Sequence, residues 1–228
     1  MNDNKYFDNF DFGDWNTSNI KTSRKVPICL VVDSSGSMIR KEGDDLPKIE
    51  QLNDNISMLI NFISNDKKAR RICDLSIISF GGRVNVISGY TDIETVKFKR
   101  MKPNGTTPMG EAVSEAINML NIRRQYYKDH DIEHYKPIML LMTDGEPNDS
   151  YLSAASQLSQ MVRDNELKVF PVGVGNEFNK DVLAKFSPFL EPKMIKDASG
   201  FTMLFKLLSS SSSNPNDDSL ERWFNDEF

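Results

Sequence analysis

Asp33-Ser34-Ser35-Gly36-Ser37 closes the apolar run Val26-Pro27-Ile28-Cys29-Leu30-Val31-Val32 with a carboxylate and two hydroxyls at two-residue spacing. Hard oxygen groups leaving one turn together suit Mg²⁺ or Mn²⁺, which take octahedral oxygen shells. Alone the pattern is only fairly specific, because Ser-Gly-Ser after a strand is also an ordinary turn. Two more segments carry the same chemistry. Pro103-Asn104-Gly105-Thr106-Thr107-Pro108 is a hydroxyl-bearing Gly-Thr loop, and the apolar run 138–142 ends in Thr143-Asp144-Gly145-Glu146-Pro147. Two apolar strands thus each end in an aspartate, with the Gly-Thr loop between them in sequence.

These groups act together only if the intervening elements bring them to one place. Residues 26–32 read as a fully buried strand. Ile49, Leu52, Ile56, Leu59 and Ile63 recur at three- and four-residue steps and predict an amphipathic helix. A strand at 75–80 runs through Gly81-Gly82 into 83–87, a predicted antiparallel hairpin at one sheet edge. Met109, Val113, Ala116, Ile117 and Leu120 mark the next helix, 138–142 the next strand, and Leu152, Ala155, Leu158 and Val162 another helix. A strand at 169–174 precedes closing helices at 181–186 and 201–208, with a short strand near Met194-Ile195. Near-continuous apolar strands separated by amphipathic helices predict an α/β fold. Its central sheet is doubly wound and mostly parallel, with one antiparallel edge hairpin and helices on both faces. Such sheets bind ligands outside the carboxyl ends of their strands. The Asp33 and Asp144 loops are both carboxyl-end loops, so pattern and chemistry point to the same rim.

The three segments together resemble the von Willebrand factor A family, over roughly residues 25–208. Its metal-ion-dependent adhesion site has a first element matched by Asp33, Ser35 and Ser37, a loop threonine matched by Thr107, and a last element matched by Asp144. The resemblance favours Thr107 over Thr106, because Gly110 and Glu111-Ala112-Val113 follow it at the family's usual spacing. It implies a vWA/Rossmann-like fold and a Mg²⁺ or Mn²⁺ ion that serves adhesion rather than reaction. The serines, and sometimes the threonine, touch the metal directly; the aspartates act directly or through water. A partner's Asp or Glu then displaces a metal-bound water. Pro108-Met109-Gly110-Glu111-Ala112 and Thr143-Asp144-Gly145-Glu146-Pro147 resemble the bacterial TerY-like branch, associated with tellurium-resistance and stress operons. That likeness implies kinase and phosphatase partners in a stress-response or defence complex. The alternative is a client-presenting regulator of an ATPase or metal-insertion machine.

An enzyme of the Mg²⁺-dependent phosphohydrolase kind is the less favoured reading. That chemistry wants a second acid two residues after the nucleophilic aspartate, and here Ser35 stands there. There is no Gly-x-x-x-x-Gly-Lys phosphate loop, and His130 and His134 lie in a polar stretch away from every motif. We therefore expect no catalytic residues and no organic cofactor. The net charge of −5 gives no case for nucleic acid, and no apolar run approaches the length of a membrane span. No signal-peptide order is visible, so the expected location is cytoplasmic, with Cys29 and Cys73 reduced and buried. The charge concentrates at the ends. Residues 1–18 sum to −3 and residues 214–228 to −4, leaving the middle near +2. We expect an acidic-aromatic, flexible arm at 1–24, a vWA domain at 25–208, and a Ser-rich tether with an acidic-aromatic tail at 209–228. Such a tail could bury Trp223 and Phe224 while offering Asp226 or Glu227 to a metal, in cis or through self-association.

Overall fold

The computed structural model of the chain describes residues 24–41 and 46–226. Six strands form one sheet in the order β3-β2-β1-β4-β5-β6. They are β1 Val26–Asp33, β2 Cys73–Gly81, β3 Arg83–Asp92, β4 Ile138–Thr143, β5 Lys168–Val174 and β6 Lys193–Ile195. All neighbouring pairs are parallel except β2 with β3, the edge hairpin. After β1 the chain builds outward through β2 and β3, then crosses back to lay β4 on the other side of β1. The carboxyl ends of β1 and β4 therefore flank the point where strand order reverses.

Side chains alternate across the sheet, and each face has its own core. Val26, Ile28, Leu30 and Val32 of β1 face α1 (Lys48–Asn65) and α6 (Ala198–Ser213). Cys29 and Val31 face α3 (Met109–Asp129) and α4 (Leu152–Arg163). The helices form where the apolar periodicity places them: Ile49, Leu52, Ile56, Leu59 and Ile63 are all buried on one face of α1. Leu152 departs from its stripe; it is the first residue of α4 and is exposed. Short helices complete the chain at α2 (Ala69–Ile72), α5 (Lys180–Ala184) and α7 (Ser219–Asn225). Cys29 and Cys73 are free and buried in opposite cores. Burial pushes the Cys29 thiol up to about 12, so it stays protonated and inert. Among the described residues, no helix is long and apolar enough to cross a membrane.

The C-terminal region differs from the expected tether and tail. The serine run 209–213 is the end of helix α6, and Ser211 and Ser212 are buried. Beyond it, α7 packs Leu220 and Phe224 into the core on the α1 side, where Phe224 meets Phe170 at a centroid distance of 5.0 Å. Glu221 pairs with Lys168, and Lys193 lies 5.1 Å over the Trp223 ring. The carbonyl of Asp226 accepts from Lys193 Nζ at 2.7 Å. The tail thus docks in cis, but on the domain's own hydrophobic core. Phe224 is buried there and Trp223 packs half-buried against the same core, so neither is free to dock at a metal in this arrangement. Glu227 and the arm 1–23 lie outside the described residues.

Because Leu220 and Phe224 complete a core, Phe224→Ala should destabilise the protein by about 3 kcal/mol, the ordinary cost of a large-to-small core change. Ending the chain at Ser213 should cost more. Urea unfolding of both variants checks this; stability equal to the full chain would show that α7 is dispensable.

Candidate metal centre

Val32 and Met142 are the last paired residues of β1 and β4, and the chemistry-bearing residues follow directly. Asp33 ends β1 and is fully buried. Its Oδ1 accepts from the Ser35 amide at 2.7 Å and its Oδ2 from the Thr143 hydroxyl at 2.6 Å. The Ser35 and Ser37 hydroxyls lie 2.9 Å apart, and Ser37 donates to Asp144 Oδ1 at 2.5 Å. Asp144 Oδ2 accepts from Lys48 Nζ at 3.3 Å. Thr107 is buried beside this chain of hydrogen bonds. A Cβ added to Gly145 would sit 3.9 Å from the Ser37 hydroxyl and 4.0 Å from that of Thr107. Asp33, Ser35, Ser37, Thr107 and Asp144 thus converge on one rim. Thr106 is exposed, and its carbonyl is bonded by the Gly82 amide.

Backbone contacts stitch the loops together. The Gly36 amide donates to the Gly105 carbonyl at 2.9 Å, Asn104 to Ser34 at 2.8 Å, and Asn148 to Thr107 at 3.1 Å. Such approaches leave no room for side chains. A Cβ on Gly81 would fall 2.2 Å from the Ser34 carbonyl oxygen, and Gly105, at φ +60°, would strike Gly82 Cα at 2.6 Å. Asp149 caps α3 rather than the helix that follows it, accepting from the Gly110 and Glu111 amides at 3.1 and 2.8 Å. It thereby ties the loop after β4 to the helix after Thr107.

The buried aspartates Asp33 and Asp74 differ in their company. Burial raises the Asp33 carboxyl to about 6, against the lowering effect of its bonds from Ser35 and Thr143; nearby Asp144 raises it further. Burial also pushes Asp74 up, yet bonds from Tyr127 and Arg123 and the charge of Lys25 hold it below the usual carboxylate range. Asp74 sits at the start of β2 with cations around it; Asp33 is met by neutral hydroxyl and amide donors. A carboxylate held this way gains from a bound cation. Among the described residues there is no cluster of three His, Cys, Asp or Glu. The donor set is instead carboxylate and hydroxyl oxygen throughout, which fits a hard divalent cation.

Lys48 and Thr143 are site residues that the motif reading missed. Lys48 begins α1, with its side chain as buried as that of Asp144. A cation in a first helical turn opposes the helix dipole, and that misfit was the available cue. His130 caps the C-terminus of α3 and His134 bridges to Lys25 before β1, so both lie at the opposite rim.

A relative from Synechocystis sp. (strain ATCC 27184 / PCC 6803 / Kazusa), the uncharacterized protein sll0103, is 26% identical over 167 residues. The match takes in 70% of this chain but only 35% of that protein's length. The manganese-loaded TRAP protein of Plasmodium vivax superposes with a TM-score of 0.57 at 22% identity, covering 82% of this chain and 74% of that one. Proximal thread matrix protein 1 of the mussel byssus, solved with a zinc-occupied MIDAS motif, gives 0.58 at 15% identity, covering 83% and 48%. These likenesses establish a shared fold. The sequence itself matches the von Willebrand factor type A domain over residues 28–204, from the strand that carries Asp33 to the helix that closes the sheet, and the chain belongs to that family.

Proposed function

We propose that this domain is a metal-ion-dependent protein-binding module in which Asp33, Ser35, Ser37, Thr107 and Asp144 hold Mg²⁺ or Mn²⁺. One observation carries the reading: two buried carboxylates and three hydroxyls meet where β1 and β4 diverge, joined by hydrogen bonds among Ser35, Ser37 and Asp144. When bound, the cation supplies a Lewis-acid position for a partner's Asp or Glu. The chain's own part is to orient oxygens. Thr143 and the Ser35 amide fix Asp33, and Lys48 and Ser37 fix Asp144. Two neighbours of the same fold, one manganese-loaded and one zinc-occupied, support a divalent ion here. The function involves no chemical step, in keeping with Ser35 where a phosphohydrolase would carry an acid. The TerY-like segments 108–112 and 143–147 support a stress-response setting with kinase and phosphatase partners, and the acidic N-terminal sequence without signal-peptide order supports a cytoplasmic one.

Calorimetry with Mn²⁺ should find one site that Asp33→Ala abolishes while the fold persists. Lys48→Met should tighten Mn²⁺ binding about tenfold, roughly 1.4 kcal/mol. Removing the lysine takes away a positive charge beside the ion, and it deprives Asp144 of a partner in the metal-free state. Both effects favour the metal. Unchanged affinity in Asp33→Ala would sink the site assignment.

The raised Asp33 carboxyl has a definite sign. Its folded value of about 6 exceeds the ordinary 3.8, so between these limits the folded state holds more protons and stability falls as pH rises. In EDTA, Asp33→Asn should therefore gain on the wild type by on the order of 3 kcal/mol between pH 4 and pH 7. Parallel stability curves from urea titrations would contradict this.

A pull-down read by mass spectrometry should recover partners in Mg²⁺ and lose them in EDTA, with Thr107→Ala weakening the partner more than the metal. Equal recovery in both conditions would refute metal-dependent binding.

A further inference from the structure

A groove of about 760 Å³ runs along the sheet edge beside the candidate metal centre. Arg83, Asn85 and Ile87 are alternate residues of β3 and line one side. The segment 99–104 lines the other. Ser34 lines the groove as well, and its carbonyl is bonded by the Asn104 amide. Ser34 stands between Asp33 and Ser35, and Asn104 opens the loop that carries Thr107, so groove and rim share their walls.

Among the described residues the lining is basic and contains no acid. Lys97, Lys99, Arg100 and Lys102 crowd into six residues of a chain whose net charge is −5. Arg100 is already neutralised by Glu50 and Asp54. Arg83, Lys99 and Lys102 are exposed and enter no ion pair among the described residues. Three like charges held along one cleft create a field that attracts an anion before contact.

We propose that this groove is the track for an acidic, extended segment of the protein partner, with Arg83, Lys99 and Lys102 attracting carboxylates that flank the one offered to the metal. The inference rests on the reading of the rim as a carboxylate-accepting site. It deepens that reading by assigning the partner a run of acids instead of one. A single-stranded nucleic acid is the weaker match. Among the described residues no aromatic side chain lines the groove, and stacking on aromatics is what such ligands use. Contacts of this kind act mainly through encounter rate and fade with salt.

The test uses the full chain and a labelled oligoglutamate peptide, followed by fluorescence anisotropy at low salt, in Mg²⁺ and again in EDTA. The triple variant Arg83→Ala, Lys99→Ala, Lys102→Ala should lose about tenfold in affinity under both conditions. Thr107→Ala should lose affinity in Mg²⁺ alone. A control removing three exposed cations elsewhere, Lys67→Ala, Lys68→Ala and Arg71→Ala, should stay within about twofold. If Mg²⁺ makes no difference while the groove variant still loses affinity, the metal reading fails and the groove stands. Equal losses in the control and groove variants would overturn the groove. So would a labelled oligothymidine that binds more tightly than the peptide and is released by the groove substitutions.

Discussion

Asp33 is a fully buried carboxylate whose partners are an amide and a hydroxyl, and its position constrains everything around it. Placing that charge at the end of a central strand carries a desolvation cost, which neutral donors offset only in part. The arrangement survives because both neighbouring strand ends contribute. Ser35 comes from the turn after β1, and Thr143 from the end of β4. The pair can meet only where β1 and β4 lie side by side, which makes the reversal of strand order the foundation of the site.

The second carboxylate is handled differently. Asp144 receives the Ser37 hydroxyl on one oxygen and the Lys48 ammonium on the other. A buried ion pair of this kind contributes little net stability, but removing the lysine would take away the charge that faces the buried Asp144 carboxylate. Lys48 thus pins the loop after β4 to the first turn of α1. It also occupies one of the two Asp144 oxygens. The aspartates are therefore unequal: Asp33 is left short of positive charge and Asp144 is supplied with it.

The loops bearing Ser35, Ser37 and Thr107 are anchored by the buried side chains of Met38, Met101 and Met109. Backbone hydrogen bonds between Gly36 and Gly105, Asn104 and Ser34, and Gly82 and Thr106 hold them. This stitching also links the rim to the edge hairpin, and so to the basic groove beside it. The candidate metal centre and the groove consequently share one frame, built where glycine lets the chains approach.

Periodicity in the sequence settled the strands, the helices and the mostly parallel sheet, because a buried strand and an amphipathic helix each impose a repeat that survives without tertiary knowledge. The aspartates and hydroxyls were legible for a similar reason: they lie beside strand ends, where chemistry and local structure coincide. Tertiary structure alone decided the rest. Lys48 reaches Asp144 across 96 positions of sequence, and no local pattern encodes such a meeting. Only the fold separates Thr107, buried beside Gly145, from its neighbour Thr106, which is exposed. The serine run 209–213 has weak helix propensity and reads as a tether, yet α6 carries it packed against the domain. Glu221 within α7 and Asp217, Asp218 and Asp226 around it mask Leu220 and Phe224, whose burial in the core outweighs the polar composition around them. Propensity and composition are local averages, whereas burial depends on which distant residue happens to lie opposite.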